Sequence, residues 1–207
     1  MNGSAFREPS GLAETRLNTI HAELLRRSDL IVQHCHLRTA GMPLYCATDL
    51  DHYRRSNLAW NDLLLSTFGD VHRAAIAAVT RVFGVETGIH PEFAVPGFQV
   101  FLASETEPYR GGEWHTDCFE KIADNRVVTD YSITLALAAK DLSSVEFLDW
   151  DRVGGTLQFD HRPGHFTIFP SRLTHRVAPP VPGAELDPRL TFQCHVQLQA
   201  GVACLFW

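Results

Sequence analysis

A chain of 207 residues, 45% hydrophobic and 20% charged, is long enough to bury a sizeable core without a covalent staple. Its net charge of −6 argues against broad binding to nucleic-acid phosphates, and no apolar run approaches the roughly 20 residues of a membrane helix. The five cysteines (Cys35, Cys46, Cys118, Cys194 and Cys204) form no CxxC pair and residues 1–9 hold no apolar signal segment, so a reduced, cytoplasmic protein is expected.

Residues 1–10 are polar and loose in pattern. From 11 to 27, Leu12, Leu17, Ile20, Leu24 and Leu25 fall near one stripe and predict a helix. Residues 28–37 alternate as a strand. It contains His34-Cys35-His36, which supplies no complete ligand set. A helix over 49–68 carries Tyr53, Leu58, Trp60, Leu63, Leu64 and Leu65. Gly69-Asp70 breaks it, Asp70 caps a second helix over 71–83, and Gly84 ends that one. Residues 1–95 therefore read as a mainly helical layer.

From residue 96 the texture changes. Short strands are predicted at 98–104, 113–118, 130–138, 155–159, 165–170, 174–179 and 189–199. Turn signals separate them, at Gly111-Gly112, Gly154-Gly155, Arg162-Pro163-Gly164 and 179–183. The expectation is one α+β domain over 1–207, with a β-sandwich or barrel over 96–207 and helices on one outer face. In 131–138, Ser132, Thr134, Ala136 and Ala138 share a small face, which suits a barrel lining. Tyr131, Ile133, Leu135 and Leu137 share a large face, which suits packing on the helices.

The chemistry centres on Trp114-His115-Thr116-Asp117. On a strand, His115 and Asp117 point the same way, with Cα atoms roughly 6.6 Å apart. They form half a metal site, and His175 supplies a third ligand from a later strand. Two imidazoles and one carboxylate with open positions suit non-haem Fe(II). Arg189 and Thr191 share one face of the last long strand, where a guanidinium fork beside a hydroxyl would read a carboxylate. Arg176 competes less well for that role, because it adjoins His175 and points to the other face. His161 and His165 are weaker third-ligand candidates without the context around His175. His195 reads as a packed, hydrogen-bonded histidine, and Cys118 faces away from Asp117.

Taken together, the stretch 109–117, Gly154-Gly155-Thr156-Leu157-Gln158-Phe159, Gly164 to Pro170, His175-Arg176-Val177-Ala178-Pro179 and Arg189-Leu190-Thr191 resembles the Fe(II)/2-oxoglutarate-dependent dioxygenase superfamily. The motif order is HxD, GGxLxF, GxxxxFP, HxVxP, RxS/T, and it covers roughly residues 98–199. The resemblance implies a double-stranded β-helix (jelly-roll, cupin-like) core. It implies iron ligation by His115, Asp117 and His175, and anchoring of the 2-oxoglutarate C5 carboxylate by Arg189 with Thr191. Thr134, on the small face, is a further cosubstrate candidate. Gln99 stands where many members have a tyrosine. Arg110, Trp114, Phe119 and Glu120 surround the expected mouth as candidate substrate contacts.

The activity so implied uses Fe(II), 2-oxoglutarate and O2. It hydroxylates an unactivated C–H of a small molecule, amino acid or peptide side chain, and releases succinate and CO2. The nucleic-acid demethylase branch carries an arginine that residues 192–195 lack. The halogenase branch lacks the carboxylate that Asp117 provides, and Lys121 and Lys140 lie far from the distal motif, unlike in lysine-anchored branches. The alternatives are a non-catalytic jelly-roll that binds a metal or small ligand, and a cupin oxygenase independent of 2-oxoglutarate. Neither nucleic acid nor membrane is expected as a partner, and the oligomeric state is open.

Overall fold

The computed structural model describes residues 5–34, 37–47, 49–101, 112–117, 129–137, 144–149, 155–178 and 189–207. Among the described residues two α-helices, α1 (Glu14–Arg26) and α2 (Leu50–Phe83), lie among twelve strands. The strands are β1 (Phe6–Pro9), β2 (Val32–His34), β3 (Leu37–Ala40), β4 (Glu86–Ile89), β5 (Gly97–Phe101), β6 (Tyr131–Ala136), β7 (Ser144–Asp149), β8 (Gly155–Asp160), β9 (His165–Pro170), β10 (His175–Val177), β11 (Arg189–Gln199) and β12 (Val202–Phe206).

The stripe in α1 buries Leu17, Ile20 and Leu24. Asp49 caps α2 by accepting the His52 N–H at 2.7 Å, and Gly84 ends it in the left-handed region at φ 66°. A glycine fits there because any Cβ would be strained. The two helices expected over 49–83 are both present within α2 and follow one another across a kink. The break survives as a single non-helical residue, Phe68, with φ −125° and ψ 27°. Two side chains hold the bend. The His72 ring meets the Phe68 carbonyl at 2.9 Å, and Asp70 is gripped by both Nε and Nη2 of Arg16.

Among the described residues the strands form two sheets. The larger runs β1-β9-β6-β11-β5-β3-β2, with β12 paired to β11 and, in parallel, to β4. The smaller runs β10-β7-β8. Four strands of the larger sheet therefore come from the first 95 residues, a segment read from sequence as mainly helical. Each is three or four residues long, too short to display an alternation of its own.

The core lies between the helices and the outer face of the larger sheet. Leu17, Ile20, Leu24, Phe68, Val71, Ala75 and Val79 meet Ile133, Leu135, Phe166, Ile168, Leu190, Phe192 and Val196. The alternation of β6 is thereby resolved as its pattern predicted. The large side chains take the helices, and Ser132, Thr134 and Ala136 take the inner face. Trp207 closes a second cluster, with its carbonyl accepting from the Leu44 N–H and the Tyr53 hydroxyl. Among the described residues no helix is long and apolar enough to cross a membrane.

Candidate metal centre

His115 and His175 come together through their backbones. Residues 112–117 form no regular strand, in contrast to the expected one. Instead His115 makes a single antiparallel bridge to His175, at the start of β10. The two residues exchange both hydrogen bonds, at 2.9 and 2.8 Å. Directly opposed residues carry their side chains on one face, and the two rings stand 4.4 Å apart. Gly112 N–H bonds Val177 O at 3.0 Å and Asp117 N–H bonds Ser171 O at 3.0 Å, which extends the alignment on either side.

Asp117 completes the group. Its Oδ1 lies 3.6 Å from His115 Nε2, and its Oδ2 lies 3.5 Å from His175 Nε2. One ligand atom from each of the three residues falls within 4.8 Å of the others. The side chains grade from 48% exposed at His115 to 14% at Asp117 and 7% at His175. The cluster thus sits at a mouth, with one flank open to solvent.

The residues fit a divalent metal. Each histidine places Nδ1 against the carbonyl two residues earlier, His115 on Glu113 at 2.7 Å and His175 on Leu173 at 2.8 Å. A carbonyl only accepts, so both Nδ1 atoms carry the proton and both Nε2 lone pairs turn toward the carboxylate. Burial alone would raise the Asp117 carboxyl, but His175, His195, His115 and the Ser132 hydroxyl outweigh it and hold the group below the usual carboxylate range. Burial pushes His175 down from its ordinary value, against the pull of Asp117. Asp117 is therefore favoured as the carboxylate and His175 as the neutral imidazole, the states that ligate metal.

A polar face runs inward from this cluster. Arg189, Thr191, Gln193 and His195 alternate along β11 with the apolar Leu190, Phe192, Cys194 and Val196 of the core. Register orders them. His195 pairs with Ser132, Gln193 with Thr134 and Thr191 with Ala136, and Thr134 pairs in turn with Thr167 of β9. Gln99 pairs with Thr191 from β5. Gln193 donates to the Gln99 side-chain oxygen and, at 3.1 Å, to Thr191 Oγ1. Thr134, Thr191 and Gln99 are all buried.

Sequence reasoning passed over two members of this face, Gln193 and Thr167. Gln193 is legible once Arg189 and Thr191 are placed, because it is the next residue of the same period. His161 is no part of the metal group. Its Nδ1 meets Thr167 Oγ1 at 2.9 Å, and burial, with Arg189 and Arg7 adding to it, pushes its imidazole well below the ordinary value. His165 lies outside the group too, with Nδ1 against Pro163 O at 3.2 Å. His195 is buried and hydrogen-bonded, with Nδ1 3.3 Å from Ser132 Oγ.

Trp114 lies beside the centre, partly exposed, with the Arg176 guanidinium 4.6 Å over its ring. Arg176 Nε also donates to Glu146 Oε2 at 2.6 Å, so this arginine is committed away from the face that Arg189 occupies. Arg110, Phe119, Glu120 and Cys118 lie outside the described residues.

No family model and no curated protein sequence matches the chain. Solved structures do match. An oxidoreductase of the 2OG-Fe(II) oxygenase family from Burkholderia pseudomallei superposes with a TM-score of 0.59 at 13% identity, over 96% of this chain and 86% of that one. A Pseudomonas putida prolyl-4-hydroxylase gives 0.53 at 14% identity, over 93% and 91%. The epimerase SnoN, in complex with Fe3+, α-ketoglutarate and nogalamycin RO, gives 0.55 at 13%, over 92% and 77%. The chain thus has the jelly-roll fold of 2-oxoglutarate/Fe(II) oxygenases, and within it His115, Asp117 and His175 form a candidate metal site.

Proposed function

We propose that the chain is an Fe(II)- and 2-oxoglutarate-dependent oxygenase that hydroxylates an unactivated C–H of a small molecule, amino acid or peptide side chain. One observation carries this reading. Along β11, His195, which pairs with the Asp117 partner Ser132, stands at one end of a single inward polar face and Arg189 at the other. A dicarboxylate with a 2-oxo group needs that layout: a metal for one end, a cation for the other, and polar groups between.

The roles follow from the side chains. His115, Asp117 and His175 would hold Fe(II), which supplies the redox chemistry that activates O2 and oxidises the substrate when the cosubstrate is bound. Arg189 would take the distal carboxylate through its guanidinium fork. Thr191 already accepts a hydrogen bond from Gln193, which leaves its own hydroxyl proton to donate to the same carboxylate. Gln193 and Gln99 brace Thr191, and Thr134 lies between the two ends. The exposed flank of His115 leaves the substrate side at the mouth, where Trp114 stands. The apolar wall behind β11 and β6 keeps bulk water from the distal end.

The acidic balance of the chain supports a small or peptide-like substrate over a nucleic acid. A reducing compartment such as the cytoplasm is supported by Cys194 and Cys204, which are free thiols. The test supplies Fe(II), 2-oxoglutarate and O2 with pools of small molecules and peptides, and measures succinate together with a gain of one oxygen in a product. Substrate-stimulated succinate that disappears in His115→Ala and Arg189→Ala is the expected result. Oxygen incorporation that persists without 2-oxoglutarate would replace this reading with a cosubstrate-independent oxygenase. Binding of metal with no turnover in any pool would replace it with a binding protein.

A further inference from the structure

The second carboxylate oxygen of Asp117 has a partner of its own. Ser132 Oγ lies 2.5 Å from Asp117 Oδ2, 2.9 Å from Ser171 Oγ and 3.3 Å from His195 Nδ1. A hydroxyl has one proton and two lone pairs, and a carboxylate only accepts. The Ser132 proton therefore goes to Asp117, and Ser171 Oγ–H and His195 Nδ1–H both donate to Ser132. Three segments hold this hydroxyl: β6, the turn after β9, and β11. Ser132 and His195 are directly paired across the sheet, and the Ser171 carbonyl holds the Asp117 N–H.

The arrangement matters because both oxygens of Asp117 face an imidazole, Oδ1 toward His115 and Oδ2 toward His175. The carboxylate is thus placed to ligate through one oxygen or through two. Two-oxygen ligation with two imidazoles would fill four of six octahedral positions. One-oxygen ligation fills three, and leaves room for a chelating cosubstrate and a third small ligand.

We propose that Ser132 is a positioning residue that withholds Asp117 Oδ2 from the metal, so that the carboxylate ligates through Oδ1 alone. The proposal rests on the metal-centre reading above. It predicts that the hydroxyl at position 132, rather than the shape of the side chain, sets how many positions remain open.

The test uses the full chain loaded with Co(II), whose ligand-field absorption reports coordination number. Ser132→Thr and Ser132→Val are nearly the same size, so any packing damage is common to both and only the hydroxyl differs. Ser132→Thr is expected to keep the wild-type spectrum. Ser132→Val is expected to bind Co(II) with an altered spectrum and to bind 2-oxoglutarate about 10- to 100-fold more weakly in the Co(II) form. A Ser132→Val spectrum and 2-oxoglutarate affinity equal to wild type overturn the proposal. So does loss of Co(II) altogether, as in His175→Ala, because that marks a residue that merely holds the site together. A wild-type chain that binds no Co(II) overturns the metal centre and this proposal with it. If wild type binds Co(II) but not 2-oxoglutarate, the cosubstrate reading fails, while the spectra of the two variants still decide the role of Ser132.

Discussion

His115 and His175 are tied to each other by two backbone hydrogen bonds of 2.9 and 2.8 Å, which need neither side chain. Fold and metal binding are therefore separable here. His115→Ala should leave the metal-free chain folded, because the exposed ring supports no core. Metal at about 100 times its dissociation constant should stabilise wild type by about 2.7 kcal/mol. For a chain of this length that is a rise of about 5–10 °C in melting temperature. The variant should melt like metal-free wild type and show no rise when Mn(II) or Co(II) is added. A full rise in the variant would remove His115 from the ligand set.

Arg189 and Thr191 lie on one face of β11, and a lysine at 189 would keep the charge but lose the fork. A hydrogen bond to a charged group contributes about 1.5–3 kcal/mol, so Arg189→Lys should weaken 2-oxoglutarate binding by about 10- to 100-fold. Metal affinity should be unchanged, since the guanidinium lies at the far end of the polar face. Calorimetric titration of the metal-loaded protein with 2-oxoglutarate separates the two effects. Equal binding in Arg189→Lys and wild type would move the anchor elsewhere.

The triad was legible in the sequence because it needs only a period of two and one later histidine. So was the inner face of β6, where small and large side chains alternate without exception from Tyr131 to Ala136. The short strands of the first 95 residues were not legible. Phe6–Pro9 and Glu86–Ile89 are defined by partners far along the chain, Phe6 by Ile168 and Ile89 by Leu205. The bridge at His115 was read as a strand because an HxD pattern cannot tell a ladder from one pair of bonds. The fixing of both Nδ1 atoms by Glu113 and Leu173 carbonyls was likewise hidden. It depends on local backbone shape, to which any residue at 113 or 173 could contribute.

Gly97 lies where no side chain fits. A Cβ there would stand 2.0 Å from two ring atoms of Trp207 and 2.6 Å from the Ala40 carbonyl. Trp207 is fully buried and held through its backbone by Ala94, Leu44 and Tyr53, so it cannot swing aside. Overpacking of this kind costs about 1–3 kcal/mol or more. Gly97→Ala should lower the melting temperature by about 2–12 °C. Gly84→Ala makes a useful comparison, since a Cβ there meets nothing within 4 Å and pays only for its left-handed φ of 66°. A Gly97→Ala protein as stable as wild type would mean that Trp207 repacks.

Acid should destabilise the metal-free chain through its buried histidines. Burial, then Arg189 and Arg7, push His161 well below its ordinary value. Burial also lowers His72, against the opposing effect of the Phe68 and Pro96 carbonyls. A histidine whose folded value is depressed stays neutral in the fold at a pH where the unfolded chain already binds a proton. Its contribution is fully present above about pH 6.5, the unfolded value, and is lost as pH falls from there toward the folded value. Each such histidine adds a slope of up to about 1.4 kcal/mol per pH unit in that window. Urea unfolding in the presence of a chelator, taken from about pH 7.5 to about pH 5, should show stability that is flat at first and then falling. His161→Gln keeps a partner for the Thr167 hydroxyl and cannot titrate, so its curve should fall less steeply than that of wild type. Parallel curves for the two proteins would show that His161 already shares its proton equilibrium with the unfolded state.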